Sequence, residues 1–233
     1  VMRPPGHRGA NDGRVRTCLT RRAASTRIRV PGQTCFGNGC AEHTGLYGPI
    51  ASPLGQLIAH AASSLGGKFH NGGTYVNMDG PAFSTRAESE LNRRHGFDVI
   101  GMTNLPEAKL AREAEIALAT MAMITDYDCW KVEEEPVSVQ TVLGHLLANA
   151  ETAKKVLADV IPRIPTKPNW PEHRALDTAL VTDRKLWPNE TVERLRPVLE
   201  RFAWTAKGGS EFRNTRQPPS RCLHRNSILR TSP

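Results

Sequence analysis

Residues Gly73 to Trp130 alternate short apolar runs with helix-forming segments, and this alternation constrains the fold more than any other feature of the chain. The runs are Thr74–Met78, Phe97–Gly101 and Ile116–Ile124. Between the first two, Thr85 and Glu88 have the spacing of a capping box, which predicts a helix to about His95 with Gly96 as its stop. Between the second and third, Asn104 is placed to cap a helix that tolerates Pro106 in its first turn and runs to about Ala114. Ile116–Ile124 is apolar at successive positions, as a central strand covered on both faces would be. Strands alternating with helices argue for an α/β fold, a mixed sheet flanked by helices. Ligands of such sheets bind beyond the carboxyl ends of the strands. Those ends carry Asp79 and Phe83-Ser84, then Met102-Thr103-Asn104, then Thr125-Asp126-Tyr127-Asp128.

The flanking sequence is read around this core. Thr34–Ser52 is glycine-rich and fits a strand, a turn and a second strand. Leu54, Leu57, Ile58, Ala61 and Leu65 have helical spacing before Gly66-Gly67. Ser138 is placed to cap a long amphipathic helix marked by Val139, Val142, Leu143, Leu146, Ala150, Ala153, Val156, Leu157 and Val160, which Pro162 and Pro165 close. Two further helices are predicted, about Glu172–Leu186 and Glu190–Phe202, the second capped by Asn189.

The ends differ from the body. The formal charge of +8 is not spread evenly. Residues 1–33 hold eight arginines against one aspartate, and residues 207–233 hold six basic residues against one glutamate. Residues 34–206 are therefore mildly acidic. Both ends lack a sustained apolar period, apart from a candidate edge strand at Arg27–Val30, and are expected to remain unstructured. The domain organisation is thus a basic segment, 1–33, a folded body, 34–206, and a basic tail, 207–233. A chain of 233 residues can bury one sizeable core. No run of about 18 apolar residues is present for a membrane span, and the amino terminus lacks the apolar region of a secretory signal. Five scattered cysteines, without a C-x-x-C pair, suit reduced thiols in the cytoplasm.

Asp126 and Asp128 lie two apart at a strand end, so their side chains point the same way if strand geometry continues. Paired carboxylates can raise one pKa and create a general acid. The competing reading is an ordinary Asp-rich turn, and spacing alone favours it. Met102 and Thr103 read locally as a core methionine and a strand-end threonine, and Phe83 and Ser84 as a staple and a cap. Arg93-Arg94-His95 reads as a solvated helix end favoured by the macrodipole. Cys35, Cys40 and His43 match no standard zinc spacing, and no metal site is expected.

Three stretches in order, GTYVNMDGPAFSTRAES, GMTNLPEAKLAREAEI and ITDYDCW, resemble the trimeric purine nucleoside phosphorylases, and Thr-Asp-Tyr-Asp is most similar to the 5'-methylthioadenosine phosphorylase branch. The resemblance runs from about Ser52 to about Pro165 and more faintly back to Thr34. It implies a nucleoside phosphorylase-like fold, a homotrimer, and attack of inorganic phosphate on methylthioadenosine, giving adenine and 5-methylthioribose 1-phosphate, with no metal or organic cofactor. It implies that Asp126 acts at purine N7 and that Asp128 helps recognise the 6-amino group. Phe83, Ser84 and Thr125 would line the base site, Met102 would pack on the ribose, and Thr103 would lie near phosphate. His43, from a neighbouring subunit, would reach the 5' end, in a pocket also lined by Val139 and Val142. The family's amino-terminal half is longer, with a glycine-rich phosphate loop and an Arg-His pair; no strand feeding such a loop is read upstream of Thr34. The alternatives are an incomplete chain that binds adenine without turnover, and a nonspecific nucleic-acid binder acting through the basic ends.

Overall fold

Two glycines at positive φ, Gly72 and Gly73, turn the chain into the strand that anchors the fold. Our computed structural model describes residues 16–20, 22–25, 34–65, 68–125, 127–130 and 139–203. It contains strands β1 (Arg16–Thr20), β2 (Arg22–Ser25), β3 (Lys68–Asn71), β4 (Thr74–Asn77), β5 (Val99–Gly101) and β6 (Thr120–Ile124). Its α-helices are α1 (Ser52–Ser64), α2 (Arg86–Arg94), α3 (Asn104–Glu113), α4 (Val139–Val160), α5 (Asn189–Arg194) and α6 (Arg196–Ala203). The strands form two three-stranded sheets, in the orders β2-β4-β5 and β3-β1-β6. The first is parallel throughout, with Asn77 opposite Gly101. In the second, β1 runs parallel to β3 and antiparallel to β6. The mixed α/β architecture is the one expected.

A side-chain clamp sets the β4–β5 register. The Thr74 N–H donates to Asp98 Oδ2 at 2.7 Å, and the Asp98 N–H returns a bond to the Thr74 carbonyl at 2.9 Å. A side chain at Gly73 would collide with that carboxylate, since a Cβ there would lie 3.0 Å from Asp98 Oδ2. Helix α2 starts as expected: the Thr85 hydroxyl accepts from the Glu88 N–H, and the Glu88 carboxylate accepts from the Thr85 N–H. The Thr85 N–H, and after it the Thr85 hydroxyl, which lies 2.9 Å from Glu88 Oε2, hold the Glu88 carboxyl below the usual carboxylate range.

Three hydrophobic clusters support this frame. Ile58, Ala59, Ala61 and Ala62 of α1 pack against Val156 and Val160 of α4, with Phe69 and Met121 of the β3-β1-β6 sheet alongside. Val99 and Ala122 join the two sheets, flanked by Tyr75 and Ile124. A separate carboxyl-terminal lobe packs Leu176, Ala179, Trp187, Leu195, Leu199 and Phe202 around Phe36 and Cys40. This lobe is locked to the end of α3 by Glu115. Its carboxylate accepts from the Leu176 N–H and from the Arg201 guanidinium, which also pairs with Asp177.

The structure corrects several expectations. Two strands, β1 and β2, lie inside the segment read as lacking regular structure, and β1 is the middle strand of its sheet. The candidate strand at Arg27–Val30 lies outside the described residues. The third apolar run forms a strand only from Thr120. Glu115 has φ 56° and the Ile116 N–H bonds to the Ala111 carbonyl, so the first residues of the run belong to the exit of α3. β6 also stands at an edge of its sheet. Thr103, not Asn104, takes the N-cap position of α3, and Pro188, not Asn189, that of α5. The helix expected over Glu172–Leu186 is replaced by 3-10 turns at Pro171–Arg174 and Arg184–Leu186. Its centre is captured by another segment: Leu180 bridges Glu42, and the Val181 N–H bonds to the Ala41 carbonyl. The last helix breaks at Leu195, because Pro197 cannot donate and clashes with the carbonyl four residues earlier.

Candidate active site

The loops that follow β4, β5 and β6 meet at one end of the molecule. Gly80, after β4, lies against Met102, after β5; a Cβ at Gly80 would lie 3.0 Å from Met102 Sδ, and Gly80 has φ 57°. Ser84 joins the same loop to the third strand, because the Cys129 thiol sits 3.4 Å from the Ser84 carbonyl. The Ser84 hydroxyl lies 3.8 Å from Met78 Sδ. In the chain, Phe83-Ser84 follows β4, Met102-Thr103 follows β5, and Thr125, Tyr127 and Asp128 follow β6.

Asp128 is the best-defined polar group of this region. It adopts φ 29°, unusual for a residue with a side chain. Its Oδ2 accepts a hydrogen bond from the Ser89 hydroxyl of α2 at 2.6 Å, and its Oδ1 accepts from the Cys129 N–H at 2.9 Å. Ser89 is fully buried. Next to it, the Arg93 guanidinium lies 3.8 Å from the centre of the Trp130 ring, and Tyr127 meets Trp130 edge-on. Arg93 is therefore a stacking partner as well as a charged helix end.

Helix α4 holds the end of β6 from the other side. The Asn149 amide donates to the Ile124 carbonyl at 3.1 Å, and His145 Nδ1 lies 3.0 Å from the Thr125 carbonyl. Neither residue was marked by the sequence. Asn149 carries a signal in hindsight, as a polar residue on the apolar stripe of an amphipathic helix. Asn77 is a second such case. It is fully buried at the end of β4, and its Oδ1 accepts the Leu105 N–H of α3 at 2.9 Å. It supplies the cap that Thr103 does not, since the Thr103 side chain makes no cap hydrogen bond. Thr103 is exposed at the start of α3, where the helix dipole favours an anion.

Space at the β4–β5 end is tight. A Cβ on Gly101 would lie 1.8 Å from the Tyr75 hydroxyl, so only glycine fits there with Tyr75 in this position. Burial, and secondarily the charge of Glu107, pushes the Tyr75 phenol up.

The other expected site residues are placed less centrally. Phe83 is open to solvent, 83% exposed, and stacks on nothing in the described structure. His43 is exposed, and its backbone N–H donates to the Ala179 carbonyl, so its anchor is the carboxyl-terminal lobe. Val139 and Val142 fall in the first turn of α4. Asp126, read as the general acid, lies outside the described residues, between Thr125 and Tyr127. Among the described residues, no group of three His, Cys, Asp or Glu side chains is arranged to hold a metal ion, and no helix is long and apolar enough to cross a membrane.

The loops that follow β4 and β5 of the parallel sheet and β6 of the second sheet bring a thioether, hydroxyls and a fixed carboxylate together in an α/β fold. The family model of the phosphorylase superfamily matches residues 20–162, and the chain belongs to that family. It is 42% identical over 185 residues to the S-methyl-5'-thioadenosine phosphorylase of Koribacter versatilis (strain Ellin345), a match covering 79% of this chain and 63% of the relative. It is 46% identical over 181 residues to the S-methyl-5'-thioadenosine phosphorylase of Synechocystis sp. (strain PCC 6803 / GT-S), covering 76% and 55%. The chain thus spans between about half and two thirds of the length of these curated relatives. Among solved structures, it resembles a methylthioadenosine phosphorylase from an antarctic soil metagenomic library, with TM-score 0.73, 38% identity, and coverage of 78% of this chain and 65% of that one. The Schistosoma mansoni methylthioadenosine phosphorylase in complex with adenine shares the fold, with TM-score 0.61, 23% identity, and coverage of 82% and 68%.

Proposed function

We propose that this chain provides the base and ribose side of a 5'-methylthioadenosine phosphorylase site. The observation that carries the reading is the carboxylate of Asp128, held by Ser89 and by the N–H of Cys129, whose thiol meets the Ser84 carbonyl. Membership of the phosphorylase superfamily and the names of the relatives support it. In the proposed reaction, a phosphate oxygen attacks C1' of methylthioadenosine as the C1'–N9 bond breaks. The electron pair of that bond leaves with adenine. Asp126 delivers a proton to N7, so that the base departs neutral, and the product sugar is 5-methylthioribose 1-phosphate. A carboxylate at Asp128 accepts from the 6-amino group. Met102 packs on the ribose, Phe83, Ser84 and Thr125 line the base, and His43, Val139 and Val142 face the 5' substituent. Thr103 and the start of α3 receive phosphate. No metal or organic cofactor takes part; phosphate is a co-substrate.

The proposal extends to a homotrimer acting in the cytoplasm, in purine and methionine salvage. A trimer would place His43 of one subunit near the site of another, which accords with its exposure.

The test is adenine release from methylthioadenosine with and without phosphate. Phosphate-dependent release supports the reading. Failure to bind either adenine or methylthioadenosine refutes it.

A further inference from the structure

We infer that Asn149 and His145 of α4 are positioning residues: they fix the exit of β6 and so place Thr125 against the base. The inference rests on the function proposed above, in which Thr125 lines the base, and adds to it two residues with no assigned role. His145 and Asn149 lie one turn apart and share a face of α4 with Val156 and Val160. Val156 and Val160 are buried against α1. The same stripe turns polar where it meets the end of β6. There the Asn149 amide donates to the Ile124 carbonyl at 3.1 Å, and His145 Nδ1 lies 3.0 Å from the Thr125 carbonyl. A carbonyl only accepts, so Nδ1 carries the hydrogen and donates it.

Ile124 is the last residue of β6, so these carbonyls belong to the two peptide units at which the sheet ladder stops. A peptide unit is planar and rigid, and a bond to its carbonyl orients the whole unit. Two consecutive units are thus tied to one helix face, and α4 takes over from the sheet in setting the path of the chain. Stability does not account for this choice of residues. Asn149 is 1% exposed, and its Oδ1 has no hydrogen-bond partner among the described residues. A buried acceptor without a donor is destabilising, and an aliphatic side chain would suit the stripe better. Turning the amide over would only set its oxygen against the Ile124 carbonyl. What Asn149 supplies is geometry at the β6 exit, which an apolar residue cannot.

The experiment uses the full chain, as wild type, N149L, H145A and H145N. Each is titrated with adenine by calorimetry, melted, and followed by hydrogen exchange over the peptide from β6 to Trp130. N149L keeps the branched shape and loses both the donor and the unpaired oxygen, so it should melt close to wild type. Exchange at the β6 exit should rise, and adenine affinity fall, by roughly tenfold, the worth of about one hydrogen bond. H145A should behave alike. H145N, whose amide N–H falls near the place of Nδ1–H, should recover most of the loss. A purely structural role predicts that affinity follows Tm in every variant and that H145N does no better than H145A; that result overturns the inference while leaving the proposed function standing. Exchange and affinity equal to wild type in N149L and H145A overturn it as well. If N149L fails to fold, the H145A and H145N pair decides by the same criteria. If wild type itself binds no adenine, the proposed function fails and the inference falls with it.

Discussion

Gly101→Ala tests how tightly the β4 and β5 ends are packed. Gly101 does not need glycine for its backbone, and the constraint is space alone. A Cβ would lie 1.8 Å from the Tyr75 hydroxyl, 2.7 Å from Cζ and 3.3 Å from Cε1. Carbon atoms at rest sit roughly 3.5–4.0 Å apart, so the phenol must swing away. Tyr75 is packed against Val99 and Ala122, which leaves little room for that movement. Forced repacking of this kind costs about 1–3 kcal/mol. Loss of glycine freedom in the unfolded chain returns about 0.4–1 kcal/mol, so the net loss is on the order of 1–2 kcal/mol. For a chain of this size that lowers Tm by roughly 2–8 °C. Differential scanning calorimetry measures it, and the double variant Tyr75→Phe/Gly101→Ala should recover part of the loss, since the nearest atom is gone but the 2.7 Å contact to Cζ persists. Because Met102 follows directly, adenine affinity should fall in Gly101→Ala and recover in parallel. A single variant melting at or above wild type would refute the steric reasoning.

Two further outcomes are expected. Burial is the largest influence on Glu113 and raises its carboxyl pKa, against the lowering by the Cys35 N–H and the Thr34 hydroxyl that bond to it. The fold therefore holds its proton more tightly than the unfolded chain, and stability present below the ordinary glutamate pKa of about 4.3 is lost as pH rises through the elevated value. Glu113→Gln should flatten that part of the curve of Tm against pH, and an unchanged slope would show that Glu113 does not set it. Asp126→Asn should weaken adenine preference or move it towards 6-oxopurines, as judged by calorimetry; identical selectivity in the variant would remove Asp126 from base recognition.

Much of the site was legible because its residues follow strands directly. The runs before Asp79, Met102 and Thr125 end at sharp changes from apolar to polar sequence, and the capping box at Thr85 and Glu88 fixes where α2 begins. What stayed hidden was long-range. Arg16–Thr20 and Arg22–Ser25 have no alternating pattern, and they become strands through partners supplied by β3, β4 and β6. The segment around Leu180 has helical spacing, yet backbone pairing with residues 41 and 42 overrides it. The Ser89–Asp128 bond spans 39 positions, and the cap that Asn77 gives to α3 spans 28, so neither leaves a local mark. Phe83 shows the opposite limit: the family resemblance implies a place beside the base, but its exposure is a property of the folded surface.

The place of β1 between β3 and β6 has a consequence for how the sheet is assembled. Arg16 pairs with Lys68, 52 residues on, and with Ile124, 108 residues on. During synthesis β1 must wait for β6 before the three described strands of this sheet are joined. The entropy of closing the larger loop exceeds that of the smaller by only about 0.6 kcal/mol for each doubling, so the equilibrium cost is slight. The kinetic cost is larger, since pairings distant in sequence slow folding. Until β6 emerges, β1 presents an open edge of hydrogen-bonding groups, the period in which the nascent chain is most prone to pair with another copy of itself.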